Sequence, residues 1–135
     1  MDGQSSEWKK QGTGIRQGCT LSPYLFLIVM TAIFADIHKD PELVAELKGK
    51  RPPEMEFDEV LYADDTICIT STAAQMQILI QAIEKEGQKY GLKLNKGKCV
   101  AINMNSEEKI QFPDGIDLQK GSETMYLGNE INTKA

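Results

Sequence analysis

Two adjacent carboxylates, Asp64 and Asp65, stand between two β-rich apolar runs, residues 56–62 and 66–70. Like charges placed side by side repel, so the pair does little for stability. A hard divalent cation is what it suits: Mg²⁺ takes oxygen ligands, one or two carboxylates together with waters and substrate phosphates. Phosphoryl-transfer enzymes use such ions to activate an attacking oxygen and to steady a leaving one. The same pair is also common as a plain solvated turn, and a short motif by itself has a high false-positive rate. The surrounding elements have to decide between the two.

The runs beside the pair read as strands. Residues 56–62 alternate loosely, Ala63-Asp64-Asp65 interrupts, and Thr-Ile-Cys-Ile-Thr resumes over 66–70. Two such runs around a short acidic break predict a hairpin, although the break lacks the usual glycine. Upstream, residues 2–13 read as a strand or hairpin arm and residues 14–18 as a loop with two glycines. A helix follows, with Ser22 as N-cap and Pro23 at its first position. Leu21, Leu25, Ile28, Val29, Ala32 and Ile33 fall at helical spacing, and Phe26, Leu27 and Phe34 make the helix apolar nearly all round. Such a helix is expected at the centre of the core, ending before Asp40-Pro41.

Residues 41–54 are charged and contain Gly49 and Pro52-Pro53, which predicts a connector. A second helix opens on a capping box, Thr72 with Gln75. Met76, Leu79, Ile80, Ile83 and Tyr90 form its apolar face, opposite Gln77, Gln81, Glu84, Lys85 and Gln88. Gly91 supplies the stop, with Leu92 placed to pack back. A strand over 98–104 and two short ones around 110–118 and 125–131 complete the pass, with Pro113-Asp114-Gly115 and Lys120-Gly121 as turns. This order predicts one α+β domain, an antiparallel sheet with two main helices packed on one face.

The 135 residues carry a formal charge of -5, with 41% hydrophobic and 26% charged residues. That balance argues against tight nucleic-acid binding by the chain as a whole, because phosphate binding relies on lysine and arginine. Basic residues do cluster locally. Lys85, Lys89, Lys93, Lys96 and Lys98 lie close together, and Lys9, Lys10 and Arg16 lie near the other end, so a local basic track is compatible with the acidic total. Cys19, Cys68 and Cys99 are scattered and His38 is the one histidine, which excludes a zinc cluster and fits a reducing, intracellular setting, nucleus or cytoplasm. The longest apolar run, residues 24–35, falls short of the roughly 20 residues of a membrane span. The first residues lack the pattern of a secretory signal.

Taken in order, four motifs resemble those of reverse transcriptases. Tyr62-Ala63-Asp64-Asp65 with its flanking strands resembles the catalytic hairpin. Gly14-Ile-Arg-Gln-Gly-Cys-Thr-Leu-Ser-Pro23, followed by Tyr-Leu-Phe26, resembles the segment between the fingers and the palm helix. Gly91-Leu-Lys-Leu-Asn-Lys-Gly-Lys98 resembles the segment after the second palm helix, and Tyr126-Leu127-Gly128 the start of the primer-grip hairpin, within about 110–132. The long Arg-Gln-Gly-x-x-Leu-Ser-Pro form points to non-LTR retrotransposons, with group II intron enzymes nearby.

The resemblance implies a partial polymerase palm over residues 1–135 and RNA-directed DNA polymerase chemistry in the full-length parent: nucleotidyl transfer from a dNTP to a DNA primer end on an RNA template. Asp64 would be a principal Mg²⁺ ligand with Asp65 assisting, Mn²⁺ serving as a substitute. Arg16, Gln17 and Gly18, with Tyr62 and Ala63, would line nucleotide and template. Lys98 would sit near the leaving pyrophosphate, as cations do in phosphoryl transfer. Tyr126, Leu127 and Gly128 would hold the primer end.

Each residue also has a plainer reading. Arg16 could pair with an acid, Lys98 could belong to a solvated face, and Tyr126 and Leu127 could be core. The family's further catalytic aspartate, upstream of Arg-Gln-Gly, has no counterpart here. Asp2 lacks the context, Phe34-Ala-Asp36 falls inside the first helix, and Asp40 and Asp58 have the wrong surroundings. The expectation is that these 135 residues alone bind Mg²⁺ weakly and do not extend a primer, with fingers, thumb and the first catalytic strand supplied by other sequence. The competing readings are a non-catalytic α+β module that binds RNA or protein, and an inactive retroelement relic.

Overall fold

The structure, a computed structural model, describes residues 19–47, 59–62, 65–104 and 107–133. Within them the order is α1 (Ser22–Lys39), α2 (Pro41–Leu47), β1 (Glu59–Tyr62), β2 (Asp65–Cys68), α3 (Ala73–Lys89), β3 (Val100–Ala101), β4 (Gln119–Lys120), β5 (Glu123–Tyr126) and β6 (Asn129–Asn132). The α+β class is as the sequence implies. The strands, however, form three separate two-stranded ladders, β1-β2 and β5-β6 antiparallel and β3-β4 parallel.

Ser22 proves to be the first helical residue of α1, with Leu21 at the N-cap and no side-chain cap. The helix is also not central along its whole length. Ile33, Phe34 and Ile37 are buried, Ile33 at 2% exposure, whereas Leu25 is 54% and Ile28 64% exposed. Helical spacing identifies a stripe but not where along it the packing partners end. Among the described residues, α2, α3 and the β1-β2 hairpin cover the C-terminal half, giving a cluster of Ile33, Phe34, Ile37, Leu47, Leu79 and Ala82.

The connector expected over 41–54 begins instead as a helix. Asp40 Oδ1 accepts from the backbone N–H groups of Glu42 (3.1 Å) and Leu43 (3.2 Å). With Pro41 at the first helical position this is a capped start, and α2 is the result. Its far end is held by Gln75, whose buried amide nitrogen donates to the carbonyls of Glu46 and Leu47, each at 3.2 Å.

α3 opens and closes as its sequence indicates. Thr72 Oγ1 accepts from Gln75 N–H at 3.2 Å, while the Gln75 side-chain oxygen accepts from Ser71 N–H, one residue earlier than a standard capping box requires. At the other end Leu92 N–H donates to Gly87 C=O (2.9 Å) and Gly91 N–H to Gln88 C=O (3.1 Å). This pair of bonds is a Schellman motif, and it requires the left-handed φ of +74° at Gly91. Tyr90, expected on the apolar face, is exposed, and its hydroxyl donates to Asp36 Oδ2 at 2.8 Å, tying α3 to α1.

α3 is apolar on two sides. Ile80, with Ala73 and Met76, packs on a second cluster holding Ile110, Phe112, Leu94, Cys99, Ala101 and Leu118. Gln77 clamps the same region, donating its amide to Gln111 C=O and accepting from Gln111 N–H. The turn at Pro113-Asp114-Gly115 forms, with Gly115 N–H donating to Phe112 C=O at 2.8 Å. Lys120-Gly121 does not turn: Gly121 N–H continues the β3-β4 ladder to Ala101 C=O at 3.0 Å. The strand expected over 98–104 is only β3, since ladder partners exist just where β4 runs alongside.

Candidate active site

In the β1-β2 hairpin the register pairs Glu59 with Cys68, Val60 with Ile67, Leu61 with Thr66 and Tyr62 with Asp65. Two residues, Ala63 and Asp64, therefore connect the strands, and both lie outside the described residues. The hairpin is as expected, but Asp65 belongs to β2 and not to the break.

Facing residues of an antiparallel ladder share a side, and sides alternate along each strand. Leu61 and Cys68 pack on the helical cluster, and α1 also meets the hairpin where His38 Nε2 lies 3.7 Å from Glu59 Oε2. The opposite side carries Val60, Tyr62, Asp65 and Ile67. Tyr62 is 58% exposed and Asp65 is exposed beside it. The helices thus anchor one face of the ladder while its last pair, Tyr62 and Asp65, is presented to solvent.

Lys98 comes from a different segment. It ends a turn over residues 95–98 in which its N–H donates to Asn95 C=O at 2.9 Å. The turn belongs to the second cluster, on the other side of α3 from the hairpin's cluster, and Lys98 is exposed. Of the lysine group, Lys89 pairs with Glu86 (2.5 Å) and Lys96 with Asp114 (2.5 Å) and Glu84 (3.3 Å). Those carboxylates offset part of the basic track that the sequence suggests.

Tyr126, Leu127 and Gly128 form the tip of the β5-β6 hairpin. Tyr126 is the last residue of β5 and pairs with Asn129. Leu127 and Gly128 have φ of 51° and 80°, as a two-residue hairpin turn of this hand requires. Tyr126 is half-buried, its hydroxyl shielded from solvent and without a hydrogen-bond partner among the described residues, while Leu127 is exposed and so not core. Arg16, Gln17 and Gly18 lie outside the described residues, as does Asp58. Asp36, in the Phe34-Ala-Asp36 stretch of α1, is occupied within the fold by Lys39 and Tyr90.

Among the described residues, to which Asp64 does not belong, no three His, Cys, Asp or Glu side chains are grouped to hold a metal ion. The donor types at the hairpin are those that Mg²⁺ or Mn²⁺ prefers: an exposed carboxylate on β2 and a second adjacent in sequence. Lys96, in the turn that carries Lys98, makes contacts that the sequence does not announce. It counted there as one lysine among five, and its two acidic partners come from segments far from it in sequence.

The chain matches the family model described as reverse transcriptase (RNA-dependent DNA polymerase) over residues 1–131. It belongs to the reverse transcriptase family, in the non-LTR retrotransposon branch. It is 31% identical over 107 residues to the Retrovirus-related Pol polyprotein from type-1 retrotransposable element R2 of Nasonia vitripennis, covering 77% of this chain and 10% of that protein. It is 30% identical over 108 residues to the corresponding polyprotein from type-2 retrotransposable element R2DM of Drosophila melanogaster, covering 80% and 10%. The chain spans about a tenth of the length of these curated relatives. No solved structure matches it. No described helix is long and apolar enough to cross a membrane.

Proposed function

We propose that this chain is part of the palm of an RNA-directed DNA polymerase, in which the β1-β2 hairpin carries the catalytic carboxylates. Residues 1–135 form part of one reverse transcriptase domain, with the primer-grip hairpin within about 110–132. The observation that carries the reading is the exposed Tyr62-Asp65 pair at the end of a ladder whose other face is fixed on α1 and α3.

Asp64 and Asp65 would hold Mg²⁺ or Mn²⁺, which when bound lowers the barrier to attack by a primer hydroxyl on a nucleotide phosphate. Tyr62 and Ala63 would border the nucleotide, and Arg16, Gln17 and Gly18 would line nucleotide and template. Lys98 would offer positive charge to the departing pyrophosphate. Tyr126, Leu127 and Gly128, at a two-residue turn, would bear on the primer end. RNA template, DNA primer and dNTP are the partners of the full-length protein, which acts inside the cell. These 135 residues supply two carboxylates of the site and not the upstream third, so by themselves they do not extend a primer.

Primer extension tests this in two arms. The purified chain is expected to be inactive on an RNA template. A chimera in which it replaces the matching stretch of the Nasonia R2 polyprotein is expected to extend a primer and to lose that activity on Asp64→Ala. Extension by the isolated chain would contradict the inactivity, and an active chimera indifferent to Asp64→Ala would contradict the site.

A further inference from the structure

We propose that Lys96 is a positioning residue for Lys98: it pins the short turn that carries Lys98, so that Lys98 faces phosphate from a fixed base. This deepens the reading of Lys98 given above and rests on it.

Leu94 and Cys99, on either side of the turn, pack on the second cluster, which leaves its middle to polar contacts. Lys98 N–H and the Cys99 thiol both donate to Asn95 C=O, at 2.9 and 3.4 Å, bonds internal to the turn. Lys96 reaches outward from the middle of it. Its Nζ lies 2.5 Å from Asp114 Oδ2, 3.3 Å from Glu84 Oε1 and 5.0 Å from the centroid of the Phe112 ring. Glu84 belongs to α3, while Asp114 and the buried Phe112 belong to the loop over 110–118. One ammonium thereby fastens the turn to two segments that are themselves joined through the Gln77 clamp. Lys98, two residues on, is exposed.

The charges around Lys96 show that it is not itself the phosphate ligand. Two carboxylates flank its single positive charge, so this locality is net negative and repels an anion. Its contribution to phosphate binding is mechanical, and that gives the test a sign. Removing the Asp114 charge should favour anion binding if electrostatics alone act, and should weaken it if the clamp positions Lys98.

The experiment titrates the purified chain with inorganic pyrophosphate and follows the lysine Cε–Hε signals by NMR, with folding checked through the methyl signals of Ile80 and Leu118. Lys98→Met establishes whether Lys98 is the ligand at all. If it leaves pyrophosphate affinity unchanged, the reading of Lys98 fails and the inference falls with it. If it abolishes saturable binding, Asp114→Asn is expected to weaken affinity by about threefold or more, and Lys96→Met likewise. Lys96→Arg, which can still reach both acids, is expected to stay close to wild type. Tighter or unchanged binding in Asp114→Asn overturns the positioning role while leaving Lys98 in place. Should Lys96→Met fail to fold, Asp114→Asn and Lys96→Arg decide the matter.

Discussion

Tyr62 and Asp65 face each other as the last pair of the β1-β2 ladder, on the side away from the helices. That placement gives Asp65 a defined direction without burying it. At the turn end of the short ladder this carboxylate stays open to solvent, and the strand beneath it is held by Leu61 and Cys68 on the core.

The anchoring of that ladder can be tested through the helices. Phe34 and Leu79 are buried together, so Phe34→Ala or Leu79→Ala should each cost about 3 kcal/mol in urea unfolding. Leu25→Ala and Ile28→Ala, on the exposed half of the same helix α1, should cost less than about 0.5 kcal/mol. Equal costs at both ends of α1 would contradict the packing described.

Gln75 provides a second test. Its amide satisfies the Glu46 and Leu47 carbonyls at the end of α2 and the Ser71 N–H at the start of α3. Gln75→Ala leaves these groups without their side-chain partner and should destabilise the chain by about 2 kcal/mol, read from the urea midpoint. An unchanged midpoint would mean that the α2–α3 junction does not depend on it.

The legibility of these elements followed the range of the interactions behind them. Thr72, Gly91 and the 113–115 turn act on neighbours a few residues away, and the sequence shows them directly. Asp40-Pro41-Glu42 was equally local and marked a helix start, but the charged stretch after it masked α2. Long-range partners were not legible. Nothing near Lys96 announces Glu84 or Asp114, and the helical stripe of α1 does not reveal where its cover stops. The Asp64-Asp65 hairpin was readable because two apolar runs frame it, whereas the parallel β3-β4 pairing depends on a returning loop that no local pattern encodes.

Acid should loosen the second cluster. The Lys96 hydrogen bond holds the Asp114 carboxyl below its ordinary value of 3.8, and Gln111, then Lys109, do the same for Asp117. Both carboxyls bind protons more weakly folded than unfolded. Their stabilising contribution is complete above the unfolded value and is lost as pH falls through the lower folded value. The urea midpoint should therefore drop between about pH 5 and about pH 2, and Asp114→Asn should flatten part of that drop. A steeper drop in Asp114→Asn would contradict the assignment.

The thiols offer a further check. Hydrogen bonding, first from the Leu21 backbone and then from Ser22, lowers the Cys19 thiol, whereas burial raises that of Cys99. The thiolate is the reactive form, so at about pH 8 a thiol reagent should label Cys19 faster than Cys99 by on the order of tenfold. Mass mapping of the labelled peptides reads the order, and earlier labelling of Cys99 would contradict it.

The central claim, that the β1-β2 hairpin is a divalent-metal site, is tested most directly by titrating the chain with Mn²⁺ and observing its amide NMR signals. Selective broadening at Tyr62, Asp65 and Thr66, reversed by excess Mg²⁺ and lost in Asp64→Ala, is the predicted result. Broadening spread evenly over the acidic surface, or unchanged at the hairpin in Asp64→Ala, would contradict it.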